Sequence, residues 1–189
     1  STHIACRFHG QRKDREISGL GIKSPLAKEP DMTGSVSKST DGRRRQLLPI
    51  CACEESRWGI GYARQLQRAG QPVEAILLNV GEPVKNLYVL RFRTQQEIEA
   101  FQASRAQCFI DEASRELADD GIACRGVFKQ GDVVFSILDT AEELDCDEVV
   151  MPAQAKGLCG LFSRSKADAV RRQQRHVPVV LIDRQGMPR

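Results

Sequence analysis

Residues 150–170, VMPAQAKGLCGLFSRSKADAV, make the chain's best case for ligand chemistry. An apolar run ends near Pro152, a loop carries Gly157 and Gly160 in G-x-x-G spacing, and a charged, helix-like run follows. Glycines let backbone N–H groups approach phosphate oxygens, and a helix N-terminus adds partial positive charge. Lys156, Arg164 and Lys166 stand close enough in sequence to pair with an anion. The plainer meaning is turn chemistry, which is what a lone G-x-x-G in a loop usually serves. On these residues alone both meanings stay open.

Other reactive types are scattered. Cys51 and Cys53 form a C-x-C, but no second close Cys/His pair completes a tetrahedral zinc set. No metal is therefore expected, and the pair reads as small side chains buried on a strand. The seven cysteines are odd in number and irregularly spaced, which suits reduced thiols better than a disulfide framework. His176 is the only histidine after residue 9, and no Ser or Cys partner with an orienting acid accompanies it. It reads as structural or solvent-facing. Glu142, Glu143, Asp145, Asp147 and Glu148 form an acidic cluster that reads as a solvated surface. Trp58 and Tyr62, at i and i+4, suggest packing on a helix rather than a base-stacking platform. No catalytic residue is assigned, and no enzyme activity is expected.

The elements that must position these residues alternate. Apolar runs at 47–52, 72–80, 122–128, 147–153 and 177–183 have the length of buried strands. Between them, 55–70, 94–121, 131–146 and 165–175 have helical periodicity. Trp58, Ile60, Tyr62, Ala63 and Leu66 form the first helical face, with Gly70 as its stop. Ile98, Phe101, Ala106, Phe109, Ile110, Ala113 and Leu117 form the second, ended by Gly121. Val134, Ile137, Leu138, Ala141 and Leu144 form the third, with Asp132 placed to cap its start. Residues 88–94 suit either a strand or a helix lead-in. The alternation predicts an α/β fold with a parallel sheet covered by helices on both faces. Ligands in such folds sit beyond the C-terminal ends of the strands, where strand order reverses. A central first strand would put Cys51–Glu54 and Met151–Ala155 on one crevice.

Composition divides the chain. Residues 1–46 carry ten Lys/Arg against five Asp/Glu, whereas 47–189 carry eighteen against twenty. The first segment lacks periodicity and is rich in Gly, Ser, Lys and Arg, so it reads as a flexible basic arm or linker, with GRRR at 42–45 a solvated charge run. The domain is expected from 47 to 189. No basic face argues for nucleic acid. No apolar stretch approaches the ~20 residues of a membrane span, and no signal-peptide pattern opens the sequence. The expected location is the cytoplasm.

Residues 47–183 resemble a universal stress protein domain. The resemblance rests on LLPICACEES, AILLNVGEP, GDVVFSILDTAEELDCDEVVMPA and RHVPVVLI taken together. It implies a five-stranded parallel sheet in the order 3-2-1-4-5, and a homodimer through the strand at 177–183. It also implies an adenine-nucleotide position after strand four, where the binding branch of the family has G-x2-G-x9-G-[S/T]. Aligned from Met151, the required glycines fall on Pro152, Ala155 and Ser165, and the Ser/Thr on Lys166. The family's ribose-side aspartate falls on Cys51, a poor acceptor. Pro49 and Val80 match positions lining the adenine pocket, as any buried strand end would.

Two functions follow as expectations. One is a non-catalytic regulatory or interaction domain, homodimeric, without cofactor and with a degenerate ATP site. Within that expectation the domain could be the cytosolic part of a larger protein joined through residues 1–46. The other is a weak ATP or AMP sensor, or a weak nucleotide hydrolase, using Lys156, Gly157 and Gly160.

Overall fold

The central strand begins with charge rather than with hydrocarbon. The computed structural model describes residues 42–84, 91–153 and 164–189. In it β1 runs Arg44–Pro49, starting ahead of the apolar run at residue 47. Arg44 and Arg45 can enter a sheet because their charges are met there. Arg44 Nη2 donates to Glu148 Oε2 at 2.6 Å, and Arg45 Nε donates to Glu74 Oε2 at 2.9 Å. For these two arginines the expected solvated run is corrected to a strand end.

A single 3-10 turn, Glu54–Arg57, leads from β1 into α1, Trp58–Arg68. The described elements continue as β2 Val73–Gly81, α2 Gln95–Ala118, β3 Ala123–Gln130, α3 Val133–Glu143, β4 Glu148–Pro152, α4 Arg164–Gln173 and β5 Val179–Ile182. The sheet is five-stranded in the order β3-β2-β1-β4-β5, and every ladder is parallel. This is the expected architecture.

Local chemistry sets the boundaries. Thr94 Oγ1 accepts from the Glu97 N–H at 3.2 Å, and the Glu97 carboxylate accepts from the Thr94 N–H at 2.9 Å, a reciprocal cap on α2. Asp132 caps α3 as expected, accepting from the Phe135 N–H at 2.9 Å. Gly70 and Gly121 end α1 and α2 in the left-handed region, at φ +81° and +68°.

Burial follows the pleat of β1. Leu47 faces the layer of α3 and α4, with Ile76, Ile137, Val149 and Val170. Leu48 faces the layer of α1 and α2, with Ile60, Leu77, Ala113 and Leu117. Both leucines are fully buried, as a central strand covered on two faces requires.

Two sequence expectations are corrected here. Phe101 is 58% exposed rather than inward. Instead, Arg105 places its guanidinium 5.9 Å from the Phe101 ring and 5.5 Å from that of Phe109. The acidic cluster is not uniformly solvated, because Glu148 is fully buried and accepts from Gln46 and Arg44 at 2.6 Å each. Its neighbours are paired on the surface, Glu143 with Lys129 at 2.6 Å and Glu142 with Arg175 at 3.5 Å.

The fit of α2 on the sheet edge depends on a missing side chain. A Cβ at Gly126, in β3, would overlap Cγ2 of Ile110. Gly126→Ala should therefore lift α2 or push Ile110 off its rotamer, costing about 1–3 kcal/mol. Urea unfolding followed by circular dichroism measures it, and an unchanged midpoint would disprove the tight fit.

Candidate functional site

The crevice arises where two neighbouring strands stop pairing. β1 and β4 are in register only at Gln46↔Glu148 and Leu47↔Val149. β1 stays paired with β2 as far as Pro49↔Leu78, and β4 with β5 as far as Pro152↔Ile182. The sheet therefore parts between β1 and β4 at its C-terminal edge, the place where this class of fold holds ligands.

Several of the expected site residues meet there. Cys51, Val80 and Met151 are buried in one cluster with Ala167 of α4. Pro49, the last residue of β1, is buried two residues before Cys51. Pro152 closes β4 and has no N–H to offer. Ala155, Lys156, Gly157 and Gly160 lie outside the described residues, as does the side chain of Ser165. The backbone of residue 165 is in the first turn of α4, where the expected loop would meet its helix.

Lys166 is described, and its charge is engaged. Its Nζ lies 2.6 Å from Glu82 Oε1, bridging the start of α4 and the segment after β2. Lys166 is 23% exposed and Glu82 51%. An anion entering the crevice would have to take this ammonium from a carboxylate that already holds it. Among the described residues, the cluster there is sulfur and hydrocarbon, from Cys51, Val80, Met151 and Ala167.

Cys51 and Cys53 are closer than strand spacing suggests. Cys51 is 5% exposed, just past β1, while Cys53 is half-buried at the N-cap of the 3-10 turn. Their sulfurs stand 2.7 Å apart, and the Cys53 N–H points to Cys51 Sγ at 3.4 Å. The Ser56 hydroxyl is placed to donate to the carbonyls of both, at 3.0 and 2.7 Å. The reading of both as buried strand residues is thus corrected: Cys51 is buried but lies past the strand, and Cys53 is only half-buried.

Two features were not foreseen. Asn79, 8% exposed, donates from Nδ2 to the Ile50 carbonyl at 2.7 Å and so ties the end of β1 to β2. A polar residue inside an apolar strand run was the available signal. The second is a hollow of about 330 Å³ beside the crevice, lined by Glu54, Trp58, Ala153, Asp183, Arg184 and Arg189 among others. Four of its charged side chains pair. Arg184 pairs with Glu54 at 3.2 Å and Arg189 with Asp183 at 3.7 Å. The N–H groups of Met187 and Gln185 hold the Asp183 carboxyl below its usual range. Tyr62 is buried as packing requires, whereas Trp58 is half-buried and lines this hollow. His176 is exposed. Among the described residues no group of His, Cys, Asp and Glu is arranged to hold a metal ion, and no helix is long and apolar enough to cross a membrane.

The model of the universal stress protein family matches residues 43–183. No curated protein matches the chain. Among solved structures, the hypothetical protein MJ0577 is 21% identical with a TM-score of 0.59, over 76% of this chain and 97% of that one. A universal stress protein from Archaeoglobus fulgidus is 20% identical with a TM-score of 0.58, over 73% of this chain and 48% of that one. A universal stress protein solved in complex with cAMP is 12% identical with a TM-score of 0.53, over 75% of this chain and 97% of that one. At these identities the structural likeness is one of fold.

The crevice wall should depend on Asn79. Asn79→Ala removes the donor to a buried carbonyl, which costs about 1–3 kcal/mol. A urea midpoint lowered accordingly is expected, and an unchanged one would show that β1 is held there by packing alone.

Proposed function

We propose, for a chain that belongs to the universal stress protein family, a non-catalytic regulatory or interaction role exercised as a homodimer, with an adenine-nucleotide position that has lost its phosphate donors. The observation that carries this reading is Lys166, whose ammonium is held 2.6 Å from Glu82 at the position where the resemblance calls for a phosphate-binding hydroxyl. Pro152 without an N–H and Cys51 without a carboxylate support it. Each lost phosphate or ribose hydrogen bond is worth ~1–3 kcal/mol, so several together carry a micromolar site to millimolar or weaker. Isothermal titration with Mg-ATP and with AMP should give no affinity tighter than millimolar, and incubation should give no hydrolysis above background. Low-micromolar binding would overturn the reading in favour of a sensor built on Lys156, Gly157 and Gly160. The cAMP held by one structural neighbour is the specific reason to include cAMP in the titration.

The dimer reading rests on the outer edge of β5. Pro178 and Ile182 turn their carbonyls inward, to Val149 and Ala153 of the β4 side, so Val179 and Leu181 turn theirs outward. The tail folds back over part of this edge. The Met187 carbonyl accepts from the Asp183 N–H at 2.9 Å, and the Leu181 carbonyl accepts from the Arg189 N–H at 2.8 Å. The Gln174 side chain takes the Val179 N–H at 3.0 Å. Among the described residues this leaves the Val179 carbonyl and the Leu181 N–H, the groups an antiparallel copy centred on Val180 would use in both directions. Val180 would then face its own copy. Val180→Lys should shift a dimer toward monomer in sedimentation at tens of micromolar, an order-of-magnitude range for a standard interface, by setting like charges opposite each other. A wild-type monomer under those conditions would defeat the dimer reading without touching the nucleotide reading.

A further inference from the structure

We propose that Cys51 and Cys53 form a dithiol that undergoes thiol–disulfide exchange with small-molecule disulfides such as glutathione disulfide. The geometry is that of a pair rather than of two separate thiols. The sulfurs are 2.7 Å apart, much nearer the ~2.05 Å of a bonded pair than a chance neighbour would be. The turn that brings them together is fixed from below by the Ser56 hydroxyl, within reach of both cysteine carbonyls at 3.0 and 2.7 Å.

The two sulfurs differ in access, and this orders the chemistry. Cys53 is half-buried at the start of the 3-10 turn and is the more accessible of the two sulfurs. Cys51 is 5% exposed and faces Cys53. In the first step the Cys53 thiolate attacks one sulfur of glutathione disulfide, forming a mixed disulfide and expelling one glutathione thiolate. In the second step Cys51 gives up its proton, and its thiolate attacks the Cys53 sulfur and expels the second glutathione. The protein pair loses two protons and two electrons, and the small disulfide takes them up to become two thiols. Reduced glutathione in excess runs the steps backward. Nothing in this depends on a nucleotide or a dimer.

The other described cysteines set the contrast. Burial pushes the Cys146 thiol up to about 12, which keeps it protonated and inert. Cys108 is exposed and has no neighbouring thiol among the described residues, so it reports simple access to the reagent.

The test uses the full chain, treated with glutathione disulfide, quenched in acid, digested with trypsin and weighed by mass spectrometry. Residues 46–57, QLLPICACEESR, form one tryptic peptide carrying both sulfurs. In the wild type this peptide should become lighter by the two thiol hydrogens and carry no glutathione. In Cys51→Ser, Cys53 should keep a stable glutathione adduct, because the resolving thiol is gone. In Cys53→Ser, Cys51 should stay unmodified over the same time. A wild-type peptide left reduced while Cys108 is modified would overturn the proposal, as would a disulfide from either cysteine to any cysteine of the chain outside the pair. The wild-type measurement stands alone if either variant proves unstable by circular dichroism.

Discussion

A carboxylate with no exposure to water sits at the N-terminal end of the central strand pair, and the site at the other end depends on it. Glu148 is fully buried and accepts from Gln46 and from Arg44 at 2.6 Å each. These contacts pin β4 to β1 over the only two residue pairs they share. Removing one partner of a buried charge pair typically costs ~3–5 kcal/mol; because Arg44 is 42% exposed, water relieves part of that here. The Gln46 carbonyl oxygen finds no hydrogen-bond partner among the described residues, since its amide nitrogen is turned to Glu148. The protein thus tolerates an orphaned acceptor in order to satisfy a charge, consistent with the larger penalty for burying the charge alone.

With one end fixed, the divergence at the other follows. β1 is held to β2 by its ladder and by Asn79, while β4 is drawn to β5. The strands separate on the side where α4 returns to the sheet, and Ala167 packs against Cys51 and Met151. The architecture of a ligand crevice is therefore intact. Among the described residues Cys51, Val80 and Met151 cluster there, and the ammonium of Lys166 is bridged to Glu82. Fold and lining are separable because the sheet depends on Leu47, Leu48 and their layers, which lie below the crevice.

What the sequence revealed was what short range controls. The apolar runs of β2 and β4 are strands, and Asp132 caps α3, because pattern and capping act within a few residues. The strand order was reached through resemblance and agrees with the sheet. What stayed hidden is long-range. Glu148 reads as one more acid in DCDEVV until a glutamine and an arginine about a hundred positions earlier are folded against it. Arg44 and Arg45 read as a solvated run for the same reason. Phe101 carries a helical face's periodicity, yet falls at its edge and ends up exposed. The position of Lys166 was legible, but its engagement by Glu82, 84 residues away, was not.

The segment after β5, residues 183–189, bears on what the sheet can become. An open apolar edge is a template on which strands add without limit, the geometry of fibrils. Here the turn at Asp183–Met187 bends the chain back, and Pro188 bridges antiparallel to Ile182. A proline beside the edge offers no donor to the next strand. Any addition is confined to a patch too short to seed a growing stack. The segment therefore acts as a terminator: it permits a closed assembly and discourages an endless one.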